Sequence, residues 1–311
     1  MKNKCLYCYK KLSEGKDFHK KCSLEFFGTE APPELPYSLD QMSELAKNVV
    51  ERSIAVPGVQ PKLSMTLIEE EKQKSDKRLT VVGALGGNYI FKPPSEDFIE
   101  IPENEHLTMR IAELCGILVV PSSLIRLKSG ELSYITKRVD RAEDGSKIHM
   151  IDMFQITEAF DKYKSSMEKI GKALDVYATN TLLDKLRFFE LTVFSFLIGN
   201  NDMHLKNFSM IETNYGWSLS PAYDLLNVAI VNPEDKEEFA LTIAGKKKKI
   251  TKEILIDFGK DLSLSSKQIS GVFRRFIKYQ SNIIEIIDNS FLSSEMKIKY
   301  KDLLEERFGR I

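Results

Sequence analysis

Apolar and polar residues alternate through much of the first half of the chain, as they do in β-strands with one buried face. Leu63, Met65 and Leu67 alternate with lysine, serine and threonine, and this period of two predicts a strand. The same kind of pattern predicts further strands at residues 79–85, 88–92 and 123–138. A turn at residues 86–88 joins two of these strands, and a turn at residues 129–130 divides the last one.

Helical periodicity dominates the second half of the chain. The clearest helix is predicted at residues 183–198, where apolar residues occur on every face and so indicate deep burial. Earlier helices are predicted at about 38–52, with Ser38 as the N-cap, and at about 104–114, ending before Gly116. Two or three amphipathic helices are expected over the last part of the chain. Strands early and helices late indicate an α+β, two-lobed plan.

We expect four segments along the chain. Residues 1–28 would form a small Cys/His knuckle and residues 29–53 a linker and a helix. Residues 54–136 would form a β-rich first lobe, and residues 137–311 a helical second lobe. The stretch 31–36, APPELP, reads as a stiff extended linker, because each proline disfavours helix in the residue before it.

Composition narrows the class of protein. The 311 residues are 42% hydrophobic, which is enough for a sizeable core. Since 45 basic residues balance 45 acidic ones, net charge gives no argument for nucleic acid or an anionic membrane as the main partner. No apolar run reaches the roughly 18–20 residues that a membrane helix needs, and the polar N-terminus does not match a signal peptide. We therefore expect a soluble protein of the cytoplasm.

The densest group of polar residues follows the most apolar helix. Residues 199–209, GNNDMHLKNFS, contain Asp202, His204 and Asn207. In kinase-type phosphoryl transfer, an aspartate accepts the proton of the substrate hydroxyl, and an asparagine five residues later binds Mg²⁺. A polar loop between a helix and a hairpin is the alternative. His204 could bind a metal or act as an acid or base, but a structural hydrogen bond is the favoured role, because the four histidines are scattered.

A second aspartate strengthens the phosphoryl-transfer interpretation. Residues 207–211 and 217–219 flank a turn at 213–216 and so predict a hairpin, and Asp224 follows in SPAYDLLN. A hairpin between the asparagine and a second, metal-binding aspartate is the kinase arrangement. Taken alone, Asp224 could be an ordinary loop or helix-cap residue.

Residues upstream could supply positive charge and a phosphate loop. Lys92 ends a predicted strand, where a lysine can neutralise phosphate charge, although lysines at strand ends are also commonplace. Glu105 could pair with Lys92, or it could complement the positive N-terminus of its helix. The segment Pro57-Gly58-Val59-Gln60-Pro61-Lys62 precedes a strand, and Gly58 permits close approach of the backbone to phosphate.

Six short blocks, in this order, resemble the HipA-like kinases of bacterial toxin–antitoxin systems: GVQPKLS, YIFKP, PENEHLTMRIAE, ITKRVDR, GNNDMHLKNFS and SPAYDLLN. The resemblance runs from about residue 50 to the end of the sequence. It implies a serine/threonine protein kinase of two-lobed, protein-kinase-like fold that uses ATP and Mg²⁺. Members of the family phosphorylate aminoacyl-tRNA synthetases. They are neutralised by a helix-turn-helix antitoxin, so DNA is an indirect partner and a membrane is not expected.

The resemblance also implies roles for individual residues. Asp202 matches the catalytic base, Lys92 matches the phosphate-binding lysine, and Asn207 and Asp224 match the ligands of Mg²⁺. The other ATP-binding residues that it implies are Pro57, Gly58, Val59, Gln60, Pro61 and Lys62 in the loop over the nucleotide, Lys137, Arg138 and Val139 in the hinge at the adenine, Asp140 at the ribose, and His204 and Tyr223.

Two departures from the family pattern matter. Family members often carry a regulatory serine three residues before the loop glycine, whereas Ala55 occupies that position here and Ser53 is displaced by two residues. The autophosphorylation switch of the family is therefore not expected in its usual form. About fifty residues stand where the long members have a β-rich subdomain. The chain thus resembles a shorter variant, in which that subdomain can be a separate small protein and hence a further partner.

The first 22 residues contain a candidate zinc site. Cys5-x-x-Cys8 and His19-x-x-Cys22 provide three thiols and one imidazole, which is the ligand set of a closed, tetrahedral zinc site. The alternative is four unconnected residues in a reducing cytosol, or a remnant that no longer binds metal. We expect a separate knuckle with little core, so that zinc would supply most of its folding free energy.

The leading hypothesis is thus an active protein kinase that modifies a translation component. The alternative from another class is a catalytically weak nucleotide-binding module that partners an antitoxin. A small-molecule kinase of the aminoglycoside-phosphotransferase type is disfavoured, because those enzymes usually place a histidine two residues before the aspartate, where this chain has Asn200.

Overall fold

The computed structural model describes residues 3–13, 15–52, 62–69, 77–82, 86–95, 97–142 and 144–311. The chain forms two compact units. The first comprises Met1–His106, Val120–Ser146 and Asn289–Phe291, and the second comprises Leu107–Val119, Lys147–Asp288 and Leu292–Ile311. Strands dominate early and helices late, which confirms the predicted fold class.

The first unit is built on a five-stranded antiparallel sheet. Its strands are β1 (Leu63–Glu69), β2 (Lys77–Val82), β3 (Tyr89–Lys92), β4 (Ser122–Arg126) and β5 (Leu132–Lys137), in the order β2-β1-β3-β5-β4. Three helices begin in this unit: α1 (Lys20–Phe27), α2 (Leu39–Arg52) and α3 (Ile101–Leu114). The hairpin of β4 and β5 confirms the strand-turn-strand predicted at residues 123–138.

The turn at residues 86–88 does not join neighbouring strands, contrary to the prediction. β1 lies between β2 and β3 and pairs with both. Leu63 pairs with Phe91 and Met65 with Tyr89, and all four side chains are buried. β1 therefore shares its apolar face with both neighbours, and this long-range pairing is not visible in the local alternation of residues.

The first 28 residues share the core of this sheet. They contribute Cys5, Leu6, Phe18, Cys22, Phe26 and Phe27 to one hydrophobic cluster that also contains Leu63, Met65, Tyr89 and Phe91. The amide of Leu124 in β4 also donates to the carbonyl of Leu6 at 3.3 Å. The expectation of a separate knuckle with little core is therefore wrong, because the apolar side chains of these residues pack against the sheet.

Two helices of the first unit begin where their sequences allow. At the start of α2, Ser38 Oγ accepts from the Gln41 amide at 3.4 Å, and Gln41 Oε1 accepts from the Ser38 amide at 2.9 Å. This reciprocal pair is a capping box and confirms the predicted N-cap. α3 begins at Ile101, earlier than predicted, because Pro102 fits the first helical turn, where no intrahelical hydrogen bond is lost.

The second unit is mostly helical. Its helices are α4 (Met153–Ile156), α5 (Met167–Tyr177), α6 (Thr181–Ile198), α7 (Val228–Val231), α8 (Lys252–Asp261), α9 (Ser266–Asn289) and α10 (Ser294–Phe308), and its antiparallel sheet has the order β6 (Met150–Asp152), β7 (Ser209–Thr213) and β8 (Gly216–Leu219). The hairpin of β7 and β8 confirms its prediction. β6 was not predicted, because three residues are too few to show a period. Among the described residues, no helix has both the length and the apolar character needed to cross a bilayer.

The core of the second unit is centred on α6, which is buried on nearly every face. Phe188 packs edge-on against Phe208 and Phe258, with ring centroids 5.3 and 5.8 Å apart. Phe194 contacts Phe276 at 6.1 Å. Since such aromatic side chains bury large apolar areas, α6 is a rigid base for the loop that follows it.

Candidate functional site

The loop that holds the predicted catalytic residues begins where α6 ends. Gly199 adopts the left-handed conformation, with φ 69°, and its amide closes the last turn of the helix. A Cβ atom at Gly199 would collide with Leu303 and would lie 2.9 Å from Asn227 Oδ1. Both the backbone angle and the close packing therefore require glycine, and the chain turns sharply into residues 200–207.

The loop itself holds Asp202 and Asn207 together. Asn207 Nδ2 donates to the carbonyl oxygen of Asp202 at 3.0 Å, and the amide of His204 donates to the same oxygen at 2.8 Å. Asn207 is buried, and the next residue, Phe208, packs on Phe188 of α6. This hydrogen bond uses the amide nitrogen of Asn207, whereas its amide oxygen is the atom able to bind Mg²⁺.

Tyr163 contacts the predicted base, and the sequence analysis did not identify it. Its hydroxyl donates to Asp202 Oδ1 at 2.9 Å, and its ring packs edge-on against His204 at 5.1 Å. Burial, together with the charge of Asp202, raises the pKa of Tyr163, so the hydroxyl keeps its proton and remains a donor. A single tyrosine in a loop carries no periodic signal that could have identified it.

The segment before Asp224 is bonded to the same loop. The hydroxyl of Tyr223 donates to the carbonyl of Lys206 at 3.0 Å and lies 2.6 Å from Ser209 Oγ. Burial, with the nearby charges of Asp224 and Asp152, raises the pKa of Tyr223. Asp224 has φ 60°, a left-handed conformation that non-glycine residues seldom adopt and that is often found at functional sites.

In the first unit, Lys92 and Glu105 form a buried ion pair. Lys92 Nζ lies 2.6 Å from Glu105 Oε1, and the side chains are 5% and 1% exposed. The ammonium group also lies 5.3 Å from the ring centre of Tyr134 on β5. Of the two roles considered for Glu105, the structure shows the ion pair. A helix-dipole effect acts within the first turn of a helix, and Glu105 lies beyond the first turn of α3.

The predicted hinge is held to the sheet by its own backbone. The amide of Lys137 donates to the carbonyl of Pro121 at 3.0 Å, and the amide of Arg138 donates to the carbonyl of Asn88 at 2.8 Å. An adenine ring bound by this segment would therefore use carbonyl oxygens or the backbone of Val139.

Asp140, the predicted ribose contact, lies between two arginines. Arg138 donates to both of its oxygens, at 2.9 and 2.7 Å, and Arg141 donates to Oδ2 at 2.6 Å. Burial opposes the ionisation of Asp140, but the hydrogen bonds and charges of the two arginines outweigh it and lower the pKa of this carboxyl. An ionised carboxylate has about four lone-pair sites, so Asp140 can still accept a hydroxyl.

The predicted loop over the nucleotide falls mainly outside the described residues. Pro57, Gly58, Val59, Gln60 and Pro61 are not among them, and neither are Ser53 and Ala55. Lys62 is described, and its side chain is exposed just before β1. The roles assigned to this loop therefore stay predictions.

The four predicted metal ligands near the N-terminus lie together. Cys5, Cys8, His19 and Cys22 each offer one ligand atom, and these atoms all lie within 4.8 Å of one another. Hydrogen bonds from Cys8 and from backbone amides lower the pKa of Cys5, against the effect of burial. The alternative of four unconnected residues is therefore excluded.

Comparison with known proteins identifies one family. Residues 54–283 match the family described as the HipA-like C-terminal domain. A Haemophilus influenzae protein named "Putative kinase" is 29% identical over 211 residues, which is 63% of this chain and 59% of that protein. A Sinorhizobium fredii protein, "Putative kinase Y4dM", is 31% identical over 267 residues, covering 81% of this chain and 63% of its own length.

A third relative is the "Serine/threonine-protein kinase toxin HipA" of Shewanella oneidensis, which is 25% identical over 196 residues. The match covers 56% of this chain and 43% of that protein. The chain thus spans less than two thirds of the length of each of these curated relatives.

A solved structure shows the same fold. It is described as the toxin–antitoxin complex of Shewanella oneidensis HipA with HipB and operator DNA. The match has a TM-score of 0.69 and 23% identity, and it covers 82% of this chain and 64% of that chain. At this identity the likeness establishes the kinase-like fold alone.

Proposed function

This chain belongs to the family of the HipA-like C-terminal domain, and on that premise we propose that it is an ATP- and Mg²⁺-dependent serine/threonine protein kinase. Relatives that are named as kinases support this chemistry. The order of the predicted parts supports it as well, since a strand lysine, a catalytic loop, a hairpin and a second aspartate follow one another as in other kinases.

The observation that carries the proposal is the hydrogen-bonded group around Asp202. Asp202 would accept the proton of the attacking substrate hydroxyl, which is the task of the catalytic-loop aspartate in kinases. Tyr163 donates to Oδ1 and so fixes the orientation of the carboxylate. Asn207 donates to the Asp202 carbonyl, so the base and the proposed metal ligand keep a constant spacing.

Asn207 and Asp224 would bind Mg²⁺. Their amide and carboxylate oxygens are the hard ligands that this ion prefers, and the ion would neutralise charge on the phosphates. Lys92, oriented by Glu105, would supply a further positive charge to the phosphates. The remaining ATP contacts are proposed for residues 57–62, for 137–140, and for His204 and Tyr223.

The substrate proposed for this kinase is a translation component such as an aminoacyl-tRNA synthetase. The proposed partners are an antitoxin with a helix-turn-helix and a small β-rich subunit, with DNA contacted only through the antitoxin. The Shewanella oneidensis complex of HipA, HipB and operator DNA supports the antitoxin. A cytoplasmic location follows from these partners.

Transfer of labelled γ-phosphate from ATP to purified synthetases tests the proposal. Asp202→Asn keeps the shape of the side chain but removes the base, and it should lower kcat by about 10²–10⁴-fold. Asp257→Asn is the matched control, because Asp257 lies exposed on α8 and should leave kcat unchanged. Equal background transfer by wild type and Asp202→Asn would contradict the proposal. ATP binding without transfer would instead indicate the weak nucleotide-binding module.

A further inference from the structure

The four Cys/His ligand groups converge from two short segments at distances that suit a metal ion. Nδ1 of His19 lies 3.5 Å from Cys8 Sγ and 3.7 Å from Cys22 Sγ, and the sulfur of Cys5 completes the group within 4.8 Å. A tetrahedral zinc ion, with Zn–S of about 2.3 Å and Zn–N of about 2.05 Å, sets sulfur–nitrogen separations of about 3.6 Å. The two sulfur–nitrogen distances from His19 match this value, and three thiols with one imidazole are a ligand set that zinc takes.

The imidazole of His19 is already oriented for this role. Its Nε2 lies 3.1 Å from the carbonyl oxygen of Lys11. Because a carbonyl only accepts, Nε2 carries the proton and Nδ1 presents its lone pair to the thiols. A backbone partner of this kind fixes the tautomer and the ring orientation of metal-binding histidines. Backbone bonds at 2.9 Å, from the Cys5 amide to Lys10 and from the Tyr9 amide to Cys5, shape the loop of the first ligand pair.

Helix α1, which begins directly after His19 and contains Cys22, packs on the strand of Lys92. The rings of Phe26 and Phe27 in α1 lie 5.9 and 6.2 Å from the ring of Tyr89. Tyr89 is the first residue of β3, and Lys92 is the last. Helix α1 therefore packs against one end of β3, the strand that carries the proposed phosphate-binding lysine.

The loop of the first ligand pair contacts the helix of Glu105. Tyr9 follows Cys8 directly, and its hydroxyl lies 2.9 Å from Nδ1 of His106. The two rings meet edge to face at 5.2 Å. His106 is the neighbour of Glu105 in α3, so this contact links the ligand loop to the helix that holds the partner of Lys92.

From these contacts we propose that Cys5, Cys8, His19 and Cys22 bind one Zn²⁺ ion, and that the zinc-bound knuckle holds β3 and α3 where Lys92 pairs with Glu105. Zinc would cross-link the two ligand segments, and its binding free energy would add to the stability of the first unit. The zinc site itself does not depend on the kinase activity; only its importance for Lys92 rests on the proposed function.

The zinc content of the full chain, purified without chelator, tests the metal site. We expect about one zinc ion per chain in wild type and in Cys115→Ser, which changes a buried cysteine outside the cluster. Cys8→Ser and His19→Gln should lose the ion. Cobalt should give the visible bands of a tetrahedral thiolate site in wild type and in Cys115→Ser only. Wild-type protein without zinc and without these bands overturns the proposal, and so does zinc that persists in all variants. The wild-type result decides even if a variant fails to fold.

Tyr9→Phe tests the bracing role while leaving all four ligands in place. It should keep its zinc, and its amides in residues 101–106 should exchange hydrogen for deuterium faster than those of wild type. Tyr7→Phe is the matched control, because the Tyr7 hydroxyl bonds to Glu25, away from α3. Exchange in 101–106 that is unchanged in Tyr9→Phe, or equally faster in Tyr7→Phe, overturns the bracing role. Neither the zinc content nor the exchange rate depends on phosphate transfer. A negative result in either measurement is therefore distinct from failure of the kinase proposal.

Discussion

The Asp202 loop and the Lys92–Glu105 pair are held in place by different means. The loop follows a helix of 18 residues that is packed with phenylalanines, and hydrogen bonds from Asn207 and Tyr163 hold it. The ion pair lies in a β-rich unit, where opposite charges are buried side by side and the Cys/His knuckle packs against the sheet. The comparison indicates that the apolar core around α6 positions the Asp202 loop, whereas the β-rich unit adds to its own apolar cluster a buried ion pair and, as we propose, a zinc ion.

Breaking the ion pair of Lys92 and Glu105 should cause the largest change in the free energy of unfolding. Lys92→Met leaves the Glu105 carboxylate buried without the Lys92 charge, and it should lower the free energy of unfolding by about 3–5 kcal/mol. Urea denaturation measures this change. The double variant Lys92→Met/Glu105→Leu removes both charges and should recover much of the loss. A double variant that is no more stable than Lys92→Met would show that the loss does not come from the charge of the remaining Glu105 carboxylate.

The matching change in the second unit is at the end of α6. Gly199→Ala adds a left-handed strain of about 1–2 kcal/mol and a collision with Leu303 that costs about 1–3 kcal/mol. Gly245→Ala is the control, since Gly245 has φ 72° with no neighbour near its Cβ position, and it should show the backbone cost alone. Equal losses in the two variants, measured by thermal unfolding, would argue against close packing at Gly199.

A half-buried carboxyl of α3, that of Glu103, makes the stability of the first unit depend on pH. Burial, with the charge of Glu100, raises the pKa of Glu103 to about 7. The folded protein thus holds a proton that the unfolded chain releases, so this stability is present below about pH 4.5 and is lost as pH rises through about 7. Glu103→Gln should therefore be more stable than wild type by about 3 kcal/mol at pH 8 and about equal to it at pH 4.5.

Unfolding at the two pH values measures the effect of Glu103. Glu44→Gln, on the exposed face of α2, is the matched control. A gain for Glu103→Gln that is the same at both pH values would show that the change acts through packing and not through ionisation.

The smallest expected change is in kcat, when the hydrogen bond that orients Asp202 is removed. Tyr163→Phe removes the donor to Asp202 and should lower kcat about tenfold, which corresponds to about 1.4 kcal/mol. Tyr215→Phe is the control, because Tyr215 is exposed in the turn between β7 and β8. Steady-state phosphate transfer compares the two. If Tyr163→Phe retained full activity, the hydroxyl would have no part in orienting Asp202.

Local patterns in the sequence predicted the elements well. Alternation predicted β1, and the apolar run before Gly199 predicted α6 almost to its ends. Motif spacing predicted the hairpin after Asn207 and the convergence of Cys5 with Cys22. Each of these features depends on residues that are close in the chain, where periodicity and turn chemistry act directly.

Features that depend on distant residues were predicted poorly. The order β2-β1-β3 was missed, because strand partners are chosen by a shared apolar face and not by a local turn. Tyr163 reaches Asp202 across 39 positions, and no motif joins them. The packing of the knuckle on Tyr89 was missed for the same reason. The pairing of Glu105 with Lys92 remained one of two alternatives until the structure showed it.

The most direct test of the comparison is hydrogen–deuterium exchange of the full chain before and after zinc is removed by a chelator. Zinc removal should speed exchange in residues 89–92 and 101–106, because the knuckle would no longer hold β3 and α3. Residues 199–209 should exchange at the same rate in both states, because the core around α6 holds them. Equal acceleration in all three segments, or none in the first two, would contradict a bracing role for zinc that is specific to β3 and α3.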